Sequence, residues 1–309
     1  NESSNGLSVK LPWEVDLDYM SVLAVEEVND ELVQKTKKPR PAALPILRVK
    51  IQELEYKDLT LGKFTLHADP FNSGYKIDAL NVDGPMMVFS SKGYWHQGAK
   101  PLTALSIRLH ARNAESLLSK FGFDSPIKGG DLRLDGDIRW PGSPDKFVLK
   151  AVEGKLAFNI KNGRLINVEP GAGRVLGLLS FQALPRRLAL DFRDLFGKGY
   201  RFDSIQGEFN IEDGNAHTSN MTILSSVARV YLSGRIGMQA RDYEQDVIVV
   251  LGDGSNYFVA GALAGGIQTG VVVWVMEKVL DVEKYSRLIY KITGTWENPV
   301  VTSLNEAPG

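Results

Sequence analysis

The stretch Asp131-Leu-Arg-Leu-Asp-Gly-Asp-Ile-Arg-Trp140 constrains the fold of this chain more than any other. Leu132, Leu134, Ile138 and Trp140 fall on one side of a two-residue period, and Asp131, Arg133, Asp135, Asp137 and Arg139 on the other. A strand turns successive side chains to opposite faces, so this segment has one dry face and one wet face. A helix would scatter the same residues round its circumference. The pattern recurs: Phe64 and Leu66 against Lys63, Thr65 and His67; Leu105, Ile107 and Leu109 against Ser106, Arg108 and His110; Leu156, Phe158 and Ile160 against Lys155 and Asn159. It returns in Phe209 and Ile211 against Glu208, Asn210 and Glu212, and in Ala228, Val230 and Leu232 against Arg229, Tyr231 and Ser233. Turn signals separate the runs at Asn72-Ser-Gly74, Asp83-Gly-Pro85, Pro141-Gly-Ser-Pro144, Asn162-Gly163 and Asp213-Gly214. The last two are hairpin dipeptides. Short alternating strands joined by tight turns predict a mostly β fold, an antiparallel meander.

Helical signals are few. Asn113 caps a short stretch that stops at Gly122, and an apolar run from Gly173 to Leu184 reads as a helix ended by Pro185. Residues 26–45 are charged and then Pro-rich, the composition of a linker. The segment from Tyr257 to Met276 contains no charged residue. As a helix it would be about 30 Å long, the thickness of a bilayer core. Its candidate membrane-contacting residues are Tyr257, Phe258, Val259, Leu263, Ile267, Val271, Val273 and Trp274, with the two aromatic ends suited to a lipid interface. Three readings stay open for it: docking on a membrane, covering the end of an apolar sheet, and spanning a bilayer. A last strand follows around Leu288–Trp296. This organisation predicts an N-terminal strand and linker over 1–45, a β region over 46–250, the apolar helical segment over 251–287, and a final strand with a polar tail over 288–309. The chain begins at Asn1 without a signal peptide, so it is expected to be part of something longer.

Residues that carry chemistry are scarce. The net charge of −1 offers no field to hold nucleic acid. The absence of cysteine excludes disulfides, thiolate metal sites and cysteine nucleophiles. The four histidines, His67, His96, His110 and His217, are not spaced as metal ligands. Gly171-Ala-Gly-Arg-Val-Leu-Gly177 has its third glycine one position late for a dinucleotide loop. Asp253-Gly-Ser-Asn256 has Ala264 where a calcium loop needs an acid. Arg133 and Arg139 interleave with the carboxylates of 131–137, as on a solvated strand face. No catalytic residue, metal site or cofactor is predicted. What remains is apolar surface, which must be covered by a second sheet, by helices or by a ligand. From alternation alone, a closed sandwich is favoured over an open groove filled by acyl chains.

Residues 130–144, 154–165 and 169–196 closely resemble the C-terminal region of the YhdP family, bacterial AsmA-like envelope proteins related more distantly to TamB. Phe202-Asp-Ser-Ile-Gln-Gly207, Ala260–Gly266 and Gly294–Val300 extend the likeness, and Leu61-Gly62 and Gly93-Tyr-Trp95 carry it more loosely toward the N-terminus. The resemblance implies a long, twisted antiparallel sheet curled into an apolar groove, with a few short helices. It implies a periplasmic bridge, anchored in the inner membrane by an N-terminal helix that this chain lacks, with its C-terminal end at the outer membrane. The implied cargo is phospholipid and the implied activity is non-enzymatic transport. Further partners would be outer-membrane or periplasmic proteins. The physics agrees: leaving acyl chains in water costs about 0.8 kcal/mol per CH₂, and a dry strand face removes that cost without specific contacts. The residues expected to line such a groove are Leu132, Leu134, Ile138, Leu156, Phe158, Ile160, Phe209, Ile211, Val230 and Leu232. The alternative is a scaffold β-sandwich of the cell envelope that packs its own core and binds protein partners.

Overall fold

The computed structural model describes residues 11–22, 45–56, 59–71, 74–121, 125, 127–166, 200–226, 228–251 and 287–304. The expected helices at 173–184 and 257–276, the two loops beginning at Gly171 and Asp253, and all but the last residue of the 26–45 linker lie outside them. The described elements are β1 (Trp13–Val22), β2 (Leu47–Tyr56), β3 (Leu59–Phe71), β4 (Gly74–Asp83), β5 (Val88–His96), β6 (Leu102–Ala111), α1 (Ala114–Lys120) and β7 (Ile127–Pro141). They continue with β8 (Glu153–Leu165), β9 (Tyr200–Glu212), β10 (Asn215–Leu224), β11 (Ala228–Gly237), β12 (Asp242–Leu251), β13 (Arg287–Thr295) and β14 (Pro299–Ser303). All fourteen strands belong to one open sheet whose order follows the sequence, from β1 at one edge to β14 at the other. The mostly β expectation holds.

Two features depart from a plain antiparallel meander. β1 pairs with β2 in parallel, Trp13 opposite Leu47 through Val22 opposite Tyr56, so the sheet is mixed. Residues 23–46 join these strands, beyond the dozen or so that a parallel crossover needs, so no hairpin forces the antiparallel arrangement. The second departure is Asn162-Gly163, which is not a hairpin. It lies inside β8, and the ladder to β9 runs through it, from Lys161 opposite Ser204 to Gly163 opposite Phe202. Asn162 takes the left-handed conformation (φ 57°), and the buried side of β8 switches there from Ile160 to Gly163 and Leu165. A Cβ on Gly163 would lie 2.4 Å from the Phe202 ring, so glycine is what admits that ring. Asp213-Gly214 does form the expected two-residue hairpin: Glu212 pairs with Asn215, and both turn residues have positive φ.

Three irregularities keep apolar residues on one face where strict alternation fails. The register shifts between Ile51 and Leu54 in β2, between Ile77 and Leu80 in β4, and between Thr218 and Met221 in β10. Extra residues in a ladder exchange the two faces of everything downstream. Thus Tyr75, Ile77, Leu80 and Val82 share a face although their spacing changes from two to three. α1 is capped as expected, Asn113 Oδ1 accepting from the Ser116 amide at 2.9 Å.

The chain divides into two compact units, one of 1–110 with 136–152, the other of 111–135 with 153–309. In the first unit Ala68, Tyr75 and Ile77 form a buried cluster with Leu47, Leu66, Leu80, Trp95 and Leu105 packed against it. In the second, Ile211, Ala216, Ile236 and Tyr243 are buried with Leu156, Phe209, Met238, Ile292 and Trp296 around them.

Candidate functional site

Register places the apolar residues of each unit in rows that run across the strands. In the first unit one row is Val49, Leu66, Leu80, Ser91 and Ile107, one residue from each of β2 to β6. Ile51, Phe64, Val82, Phe89 and Leu109 form the next row, and Leu47, Ala68, Ile77, Gly93 and Leu105 another. In the second unit Ile160, Ile205, Ile223, Val230, Val249 and Leu288 form a row across β8 to β13. Gly154, Ile211, Ala216, Ile236, Tyr243, Gly294 and Pro299 form a second, ending on β14.

The two faces differ in how far they are covered. Phe64, Leu66, Leu80, Phe89, Leu105, Ile107 and Leu109 of the first unit are part-exposed, while Ile51, Ala68, Tyr75, Ile77 and Val82 on the same face are buried. In the row through Ile160, five of six members are buried, Val230 to 2% exposure and Ile205 to 0%. Across β10 to β12 the opposite face is buried as well, at Thr222, Tyr231 and Ile248. Burial pushes the Tyr231 hydroxyl pKa up, and carries that of Tyr243 to about 12. Strict alternation assigns Tyr231 to the polar side, so its burial is a departure from the two-residue period.

The ten residues expected to contact lipid separate on this basis. Leu132, Ile160, Ile211, Val230 and Leu232 are buried, while Leu134, Ile138, Leu156, Phe158 and Phe209 are part-exposed. Phe158 and Phe209 stack at 5.8 Å with their rings nearly parallel. Along β7 the expected alternation holds: Arg133, Asp135, Asp137 and Arg139 are exposed and Trp140 is buried. The part-exposed face of β2 to β6 was only partly visible in sequence. Its β3 and β6 runs alternate plainly, but the β4 irregularity hides Ile77 and Leu80 from a period-two reading. The eight candidate membrane contacts between Tyr257 and Trp274 lie outside the described residues.

The wet faces carry ion pairs. Arg235 grips Asp242 through two bonds of 2.8 and 2.9 Å and also donates to Asn215 at 2.9 Å. The guanidinium holds the Asp242 carboxyl below its ordinary pKa. Arg48 does the same for Asp69 at 2.8 Å, and Lys128 for Glu115 at 2.5 Å. Asp137, one of the exposed carboxylates of β7, accepts from the Ser106 hydroxyl at 2.5 Å. Among the described residues no three acidic or histidine side chains are grouped to hold a metal ion. No described helix is long and apolar enough to cross a membrane.

A family model described as YhdP protein matches residues 3–301. The chain belongs to the YhdP family. It is 29% identical over 234 residues to a protein of Escherichia coli (strain K12) named intermembrane phospholipid transporter YhdP. The match takes in 74% of this chain and 18% of that relative, so the chain corresponds to a minor part of the longer protein. No solved structure gives a significant match. Family membership agrees with the resemblance of residues 130–196, and the relative's printed name concerns lipid rather than an enzymatic reaction.

Proposed function

We propose that this chain is part of a non-enzymatic carrier that moves phospholipid between the inner and outer membranes of a bacterial envelope, with acyl chains travelling along apolar sheet faces. The observation that supports this best is the part-exposed apolar surface of β2 to β6, where each strand contributes side chains in lateral register. A surface of this kind removes acyl chains from water at every step without a strong site that would trap them. In this reading Leu134, Ile138, Leu156, Phe158 and Phe209 add accessible apolar surface within their own units, and the five buried candidates support it from within the core. The chain works in the periplasm, its C-terminal end toward the outer membrane, with the apolar 257–276 segment docking there or closing the end of the track.

One observation favours a second reading for β8 to β14. Their apolar face is buried from Ile160 to Val249 and from Ile211 to Tyr243, with Leu156, Phe158 and Phe209 part-exposed between these rows, and part of the opposite face is buried too, as expected of a self-packed scaffold that binds protein partners.

The test is native mass spectrometry with lipid extraction on the chain purified in mild detergent. Carriage predicts co-purifying phospholipid that is lost in Ile107→Asp while the variant keeps its circular dichroism and melting transition. A lipid-free, cooperatively folded wild-type chain would remove transport as this segment's own activity and leave the scaffold.

A further inference from the structure

β5 interrupts the apolar face of β2 to β6 more than its neighbours do. β5 contributes Ser91, Gly93 and Trp95 to it, with Gln97 following just beyond the strand. Ser91 sits between Leu80 and Ile107 in its row and is 6% exposed, yet its hydroxyl has no hydrogen-bond partner. The indole N–H of Trp95 is likewise buried and unpartnered, as is the Gln97 side-chain carbonyl. The lateral neighbours of Trp95 are satisfied: Tyr75 donates to the Pro45 carbonyl at 2.7 Å and Thr103 to the Gly142 carbonyl at 2.8 Å. Buried polar groups are almost always paired, and leaving one unpaired is costly. Two donors left open on one strand, facing the same way and flanked by part-exposed aliphatic side chains, mark a place where an acceptor from outside is missing.

That acceptor must arrive on a molecule whose bulk is apolar, since Leu66, Leu80, Leu105 and Ile107 surround it. It must be neutral or weakly polar, because none of these face residues is charged. An ester carbonyl attached to an acyl chain meets both demands. Resting on the lipid-carriage reading above, we infer that Ser91 and Trp95 form a polar step in the apolar face that binds the ester carbonyls of a diacyl lipid. The step gives the face a register for the glycerol region of the cargo and a preference for ester-linked over ether-linked chains.

The experiment offers the full chain an equimolar mixture of dipalmitoyl phosphatidylglycerol and its di-O-hexadecyl ether analogue, in mild detergent, and reads the bound ratio by native mass spectrometry. The two lipids share head group and chain length and differ in the carbonyls. Wild type should retain the ester form about five-fold or more over the ether, the scale of one to two hydrogen bonds. Ser91→Ala with Trp95→Phe should bring the ratio near one. Ser91→Ala alone should melt no lower than wild type without lipid, because its hydroxyl has no partner to lose, and should gain less melting temperature on adding the ester lipid. A wild-type ratio of one, or a ratio unchanged in the double variant, overturns the inference. Retention of neither lipid overturns the carriage reading itself, and this inference with it.

Discussion

The apolar face of β2 to β6 and that of β8 to β14 are written in the same alternating code but finished differently. In the row Val49, Leu66, Leu80 and Ile107 every apolar member keeps some contact with solvent, whereas in the row from Ile160 to Leu288 every member but Leu288 is buried. The composition of the rows does not explain this, since both are branched aliphatic. Alternation reports which face is apolar, while coverage decides whether that face is a core or a surface.

Charge insertion separates the two regions most sharply. Ile223→Asp places an unpaired carboxylate on a fully buried face, and we expect a loss of about 3–5 kcal/mol, enough to abolish the cooperative melting transition. The same change at Ile107 should cost no more than about 1 kcal/mol, because the carboxylate there can turn to water. Equal losses at the two positions would break the comparison. Filling the space over Gly163 tests the second region alone: Gly163→Ala drives a methyl into the buried Phe202 ring and should cost about 1–3 kcal/mol in a denaturant melt. Removing the α1 cap with Asn113→Ala should cost about 1 kcal/mol, read in the same melt. It depends on neither apolar face and calibrates the other values.

Acid should treat the two regions alike, because their ion pairs lie on wet faces. Asp69 in the first and Asp242 in the second both have carboxyl pKa values lowered by an arginine. A lowered carboxylate pKa contributes stability that is fully present above the ordinary unfolded value of about 4 and is lost as pH falls through the folded value. Both pairs are partly solvated, so Asp242→Asn should narrow the wild-type drop in melting temperature between pH 7 and pH 3 by no more than about 4 °C. Asp69→Asn should do much the same. A far larger effect from one of them would show that its pair is less screened than its exposure indicates.

Local sequence was enough for the mostly β class, the polarity of β7 residue by residue, the Asp213-Gly214 hairpin and the Asn113 cap. Each depends on neighbours within a few positions: a two-residue period, a dipeptide able to take positive φ twice, a side chain within reach of an amide three residues on. It also carried the family, through the long motif run of 130–196. Tertiary structure decided what depends on distant strands. Asn162-Gly163 has hairpin chemistry, but Phe202 on β9 needs the space over Gly163, so the pair became a twist within a strand. β1 is free to run parallel to β2 because their long connection imposes no hairpin. Ile77 and Leu80 reach one face because β4 shifts register against both β3 and β5. Whether Val230 is core and Ile107 is surface was set by what covers each face, a property that no window along the chain contains.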